Sequence, residues 1–151
     1  MADKPAKSAV AVGLVLLASC ASTHQSDQER LAQYGAYAGP PIKQFTWLGH
    51  FDGWEPLGKS DLVVFTTPSD AYLLKVWPPC DLRFASNGRG GETIGVTSTA
   101  STVSTGLDSI IERSPGMGRT VCPISEIRKV DYRRMLADER RQTRAKKQGS
   151  G

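Results

Sequence analysis

Apolar residues run almost unbroken through Ala9-Val10-Ala11-Val12-Gly13-Leu14-Val15-Leu16-Leu17, then give way to the small, polar stretch ASTHQSDQER at 21–30. A short helix is predicted over about 27–38, capped by Asp27, with Leu31 and Tyr34 as an i, i+3 stripe. Gly39-Pro40-Pro41 ends it, because proline has no N–H to donate and restricts the residue before it. From Ile42 the period falls to two. Phe45 and Trp47 alternate with polar neighbours, and Trp54 and Leu57 follow an Asp52-Gly53 turn. Leu62-Val63-Val64-Phe65 is a continuous apolar run, the signature of a strand buried on both faces. Tyr72-Leu73-Leu74-Lys75-Val76-Trp77 is a second strong strand, and Thr67-Pro68-Ser69-Asp70 between them predicts an antiparallel hairpin.

Pro78-Pro79 stops that strand before Cys80, and Asn87-Gly88-Arg89-Gly90-Gly91 reads as a loop. Short strands are predicted over 93–97, 102–104 and 107–113, then a turn at 114–118 and a last strand at Val121-Cys122. Ile124, Ile127 and Val130 fall at i, i+3, i+6, which predicts a helical turn packed on the sheet. Beyond Asp131 the chain is Arg/Lys-rich. Its first part is expected to be helical around Tyr132, Met135 and Leu136, and its distal part frayed or disordered for want of an apolar stripe. The expected fold is mainly β: a small antiparallel sheet or partly open barrel with a short N-terminal helix and a C-terminal helical tail.

Composition changes little of this. A chain of 151 residues fits one domain, and 39% hydrophobic content is too high for a wholly disordered chain. The net charge of +4 is local. Residues 21–130 carry ten Lys/Arg and eleven Asp/Glu, whereas residues 131–151 carry seven and three. A nearly neutral body argues against nucleic acid as a partner.

The first twenty residues have the layout of an export signal: Lys4 and Lys7, the apolar run, then Leu17-Ala18-Ser19-Cys20. The apolar stretch is about half the ~20 residues that a membrane-crossing helix needs. Leu17-Ala18-Ser19-Cys20 resembles the lipobox of bacterial lipoproteins. That resemblance implies a signal peptide over 1–19 and Cys20 as the mature N-terminus, carrying acyl (palmitate) chains into membrane lipid. It also implies a flexible tether over 20–30. Ala21, not Asp, follows Cys20, which resembles the outer-membrane pattern of Gram-negative lipoproteins; Asp there favours the inner membrane. The expected location is therefore the periplasmic face of the outer membrane.

Once Cys20 is acylated, Cys80 and Cys122 are left, and an oxidising compartment lets them pair. The rival reading, a metal site, has two Cys with no nearby His. No metal or cofactor is expected.

The wider pattern resembles a family of small proteobacterial lipoproteins with no assigned function. It is carried by the lipobox, Tyr37-Ala38-Gly39, Phe45 with Trp47, Trp54-x-x-Leu57-Gly58, and Asp61-Leu62-Val63-Val64-Phe65. Ala71-Tyr72-Leu73-Leu74, Cys80-x-Leu82, Val96-Thr97-Ser98 and Cys122-x-Ile124-x-x-Ile127-Arg128-x-Val130-Asp131 complete it. The resemblance implies a periplasm-facing β-rich domain over 31–131, followed by the basic tail at 132–151, with a Cys80–Cys122 bridge and no transferable activity.

Candidate chemistry is sparse. His50 and Asp52 lie between Trp47 and Trp54, and a base oriented by a carboxylate beside an aromatic pocket would look like this. A polar hairpin tip looks the same. No G-x-S-x-G elbow is present, Gly88-Arg89-Gly90-Gly91 lacks the Lys-Ser/Thr of a phosphate loop, and Asp108 and Glu112 do not form a glycosidase pair. No catalytic residue is assigned and no enzyme is expected. Trp47, Phe51, Trp54, Tyr72 and Trp77 could line a recognition surface, but in a domain this small they are expected mainly in the core; if any is exposed it is Trp54 or Phe51, and with His50 these are the candidate binding residues. The basic tail is a candidate for anionic headgroups or acidic polymers. The function expected from sequence is a lipid-anchored, non-enzymatic envelope component that binds a protein partner. The alternative is a periplasmic inhibitor or immunity-type lipoprotein that neutralises a toxin or hydrolase.

Overall fold

The computed structural model describes residues 25–84, 93–114 and 118–149. The expected signal peptide, Cys20 and the 87–91 loop therefore lie outside the described residues.

The chain is mainly β, a curled antiparallel sheet forming a half-barrel with two helices. Helix α1 spans Asp27–Tyr37, β1 Ala38–Pro41, β2 Gln44–Thr46, β3 Gly53–Pro56, β4 Asp61–Thr67 and β5 Asp70–Val76. After a 3₁₀ turn at Leu82–Phe84 come β6 Thr93–Val96, β7 Thr102–Ser104, β8 Ser109–Ser114, β9 Gly118–Val130 and α2 Tyr132–Gly149. The main sheet runs β3-β4-β5-β9-β8-β6, β1 adds to the end of β9, and β2 with β7 forms a separate two-stranded ribbon. The predicted β4–β5 hairpin is present, with Leu62 opposite Leu74 and Val64 opposite Tyr72.

The central strands are apolar on both faces. Leu62, Val64, Leu74 and Val76 point into one core with Phe45, Val103, Ile110, Cys122, Ile124 and Ile127. Val63, Ala71 and Leu73 point into a second core with Tyr34, Leu57, Val130 and Met135. Leu62, Val63 and Val64 are all fully buried, which a period-two strand achieves only when both faces are covered. The first core is enclosed by the curl of the sheet and the β2–β7 ribbon, where Phe45 stacks on Tyr72 with ring centroids 4.4 Å apart. The second is covered by α1 and α2.

Three expectations are corrected. Residues 124–130 are not a helical turn but the second half of the 13-residue strand β9. Lys75 pairs with Glu126 and Val76 with Ile124, so Ser125 is bulged out. The extra residue turns both Ile124 and Ile127 into the first core, and the odd step on to Val130 places that residue on the opposite face. Spacings of three thus arise on a strand. Secondly, the cap of α1 is Ser26: its hydroxyl accepts from the Glu29 N–H while the Glu29 carboxylate accepts from the Ser26 N–H. Thirdly, α2 is helical through Gly149. Arg134 and Arg141 flank Asp138 at helical spacing, Thr143 Oγ1 donates to the Glu139 carbonyl, and the distal residues are mostly good helix formers.

A partly buried polar cluster fastens α1 to the sheet. Arg30 grips Glu55 of β3 through two hydrogen bonds, Nε–Oε1 at 2.8 Å and Nη2–Oε2 at 2.7 Å. The Tyr34 hydroxyl donates to Glu55 Oε2 at 2.9 Å and accepts from Arg30 Nη2 at 3.2 Å. Burial, and then the adjacent Glu55 charge, push the Tyr34 phenol above its ordinary value, and the Glu55 hydrogen bond does the same for Arg30. Cys80 and Cys122 are joined in a disulfide with Cα atoms 5.7 Å apart, tying the segment after β5 to the middle of β9.

Two predictions follow from this framework. The double variant Cys80→Ala/Cys122→Ala should lose about 4 kcal/mol of stability in denaturant titration, the chain-entropy value for a loop of this length. Tyr34→Phe should cost about 1–2 kcal/mol at neutral pH, from the lost hydrogen bonds to charged partners. A raised phenol in the folded state contributes stability that is present below pH ~10 and lost above it, as the unfolded tyrosine ionises. The gap between wild type and Tyr34→Phe should therefore narrow as pH climbs past 10; a gap that widens would contradict this account.

Candidate functional site: the open seam of the half-barrel

The two end strands of the main sheet, β3 and β6, approach one another without pairing. Between them lies a cleft of about 340 Å³. Trp54 of β3 lines it, as do Trp47, His50 and Phe51 from the connection before β3. Ile94 and Val96 of β6 and Ile111 and Arg113 of β8 line it too. The local sequence explains the near wall. Gly49 takes a φ of +93°, a left-handed conformation that only glycine adopts freely, and the chain reverses there so that Trp47 and Phe51 come within 6.0 Å, centroid to centroid. The turn is pinned at either side by Trp47 N–H to the Ser101 carbonyl (2.9 Å) and Asp52 N–H to the Phe65 carbonyl (2.8 Å).

All three candidate binding residues, His50, Phe51 and Trp54, fall on this one cleft. They are not equally placed. Phe51 and Trp54 are half-buried in its wall, whereas the His50 side chain is 71% exposed, with Nε2 3.6 Å from Asp52 Oδ1. That is a loose pair at the rim rather than an oriented base. The most exposed tryptophan is instead Trp77, at 58%. It follows the inward Val76 and so points outward, while its backbone N–H donates to the Pro123 carbonyl. The aromatics expected mainly in the core are half-buried apart from Trp77, so the exposed one is Trp77 rather than Trp54 or Phe51.

The indole Nε1 of Trp47 is buried and has no hydrogen-bond partner among the described residues. The cleft therefore offers aromatic and aliphatic walls and, as a hydrogen-bond donor, the exposed Arg113 side chain. This set suits an apolar group carrying a hydrogen-bond acceptor. Among the described residues no group of three His, Cys, Asp or Glu is placed to hold a metal ion. Asp108 is taken up locally, accepting from the Ser104 N–H (2.8 Å) and the Thr97 hydroxyl (3.3 Å) across the β7–β8 turn. Glu112 is buried beside β6. A second hollow of about 550 Å³ lies between the end of α1 and the β4–β5 turn. Its polar walls already engage one another or the turn, with Lys129 3.6 Å from Asp70 and Arg133 donating to Ser69.

Sequence reasoning missed the far wall. Ile94, Ile111 and Arg113 are more than forty residues from Phe51, and only the curl of the sheet brings them to it. The alternation of Ile94 with Val96 was the only local sign that β6 carried apolar side chains at this place.

A family model described as "Family of unknown function (DUF6491)" matches residues 4–147. The chain belongs to this family. No curated protein and no solved structure matches it. This DUF6491 chain is therefore read from its own geometry.

Two substitutions separate the wall from the rim. Trp54→Ala should destabilise the domain by about 3 kcal/mol, since a half-buried indole packed on the core is lost. His50→Ala should change stability by less than about 0.5 kcal/mol, as expected of an exposed side chain. Both are read by thermal or denaturant melts, and a large His50→Ala effect would mean that the imidazole holds the turn together.

Proposed function

We propose that this DUF6491 chain is a lipid-anchored periplasmic lipoprotein of the proteobacterial type, and that the seam between β3 and β6 is where it binds another envelope component without catalysis. The observation that carries the binding reading is the seam itself: an aromatic cleft on the edge of an unclosed sheet, with the exposed Arg113 side chain at its margin. A cleft of that kind favours capture of a partner's apolar side chain with a neighbouring carbonyl or carboxylate. Support for the anchor is the Lys4/Lys7, apolar-run and Leu17-Ala18-Ser19-Cys20 sequence, together with a disulfide that suits an oxidising compartment. Two or more acyl chains would hold the protein on the membrane, where one chain gives only marginal binding. The outer membrane is the favoured location because Ala21 follows Cys20.

Two measurements test this. A fatty-acid probe should label the native protein and fail to label Cys20→Ser; labelling that persists removes the anchor. A photo-crosslinking residue at position 51, introduced in intact cells, should give one dominant adduct that Trp47→Ala abolishes. A residue at position 125, on the outer side of β9, should not give it. Equal yields at the two positions would remove the seam as the binding surface.

A further inference from the structure

The last ten residues of α2, positions 140–149, contain Arg140, Arg141, Arg144, Lys146 and Lys147 and no acidic residue, and every one of them is exposed. The two acids just before them reach α1: Asp138 accepts from the Tyr37 hydroxyl at 2.9 Å while its other oxygen pairs with Arg141 at 3.1 Å, and Glu139 accepts from the Gln33 amide. The helix therefore touches the body through its first two turns and leaves it as a cationic rod. With only Ala145 apolar, the rod has no stripe that could dock on a hydrophobic groove or insert between acyl chains. What it can do is lie against a surface of negative charge.

Its position points to one such surface. Glu139 meets Gln33, which lies seven residues, about 10 Å of helix, from the cap Ser26. Cys20 is six residues before Ser26, a span of at most about 20 Å of extended chain. The cationic segment thus begins close to where the chain from Cys20 joins the fold. We propose that residues 140–149 form an electrostatic contact with the anionic lipid surface on which the acylated N-terminus sits. The acyl chains supply attachment and the rod fixes orientation, a pairing of one hydrophobic and one polybasic signal. The choice of this bilayer rests on the lipid-anchor reading above; the affinity for anionic lipid does not.

The test uses the full chain carrying Cys20→Ser, so that no acyl chain contributes. It is sedimented with vesicles of phosphatidylcholine alone or of equimolar phosphatidylcholine and phosphatidylglycerol. Every chain compared also carries Lys4→Gln and Lys7→Gln, so that the leader's own positive charge does not favour the anionic vesicles. Binding to the anionic vesicles should exceed binding to the neutral ones by about tenfold or more at low salt. That excess should vanish at ~0.5 M salt, where the screening length is only a few ångströms. It should also vanish when Arg140, Arg141, Arg144, Lys146 and Lys147 are all replaced by Gln, with helix content checked by circular dichroism. No excess, or an excess that survives either the salt or the replacement, overturns the proposal. So does soluble polyglutamate that binds as tightly as the anionic vesicles, because the rod would then be a general polyanion site. Failure of Cys20 labelling would remove the anchor while leaving this result standing, so the two readings fail separately.

Discussion

The structure depends on one constraint: its central hairpin strands, β4 and β5, are apolar on both faces. Leu62 and Val64 of β4 look one way and Val63 the other; Leu74 and Val76 of β5 look one way and Ala71 and Leu73 the other. A sheet with one wet face would need a single cover. This one needs two. It meets the demand asymmetrically. One face is closed by curling the sheet on itself under the β2–β7 ribbon, and the other by laying α1 and α2 across it. The position of each helix follows. Tyr34 and Met135 are fully buried because they fill the outer core, and the Arg30–Glu55–Tyr34 cluster holds α1 where its one buried residue fits.

β9 makes the arrangement continuous. Its first half pairs with β8 and its second with β5, so one strand belongs to both walls of the half-barrel. The bulge at Ser125 lets it do this, since one extra residue resets which side chains face the interior. Cys122 sits just before that bulge, and its bridge to Cys80 fixes the end of β5 to the strand at the point where the pairing changes sides.

Much of this was legible in the sequence. The doubly buried β4 and its hairpin with β5 came from an apolar run and a Thr67–Asp70 turn, because both signals are local. The failures have physical causes. Ile124, Ile127 and Val130 look helical because a bulge and a change of face both insert odd steps, and period counting cannot tell these from a period near 3.6. The Ser26-x-x-Glu29 capping box was present in the sequence, yet Asp27 was favoured as cap. The near wall of the seam, Trp47 to Trp54, could be named from sequence since it is one contiguous segment. The far wall could not, because Ile94, Ile111 and Arg113 reach it only through the curvature of six strands.

The asymmetry of the two covers also separates two surfaces. The helices occupy the outer face of β4 and β5, so both the entry of the chain at Ser26 and the cationic end of α2 belong to the helical side. The seam lies at the ends of the sheet, between β3 and β6. A half-barrel that stops short of closure leaves two edges, and an edge left bare invites unspecific strand pairing. Here the gap is walled by Trp47, Phe51 and Trp54 on one side and by Ile94, Val96 and Ile111 on the other. His50 and Arg113, both exposed, stand at the rim of this cleft.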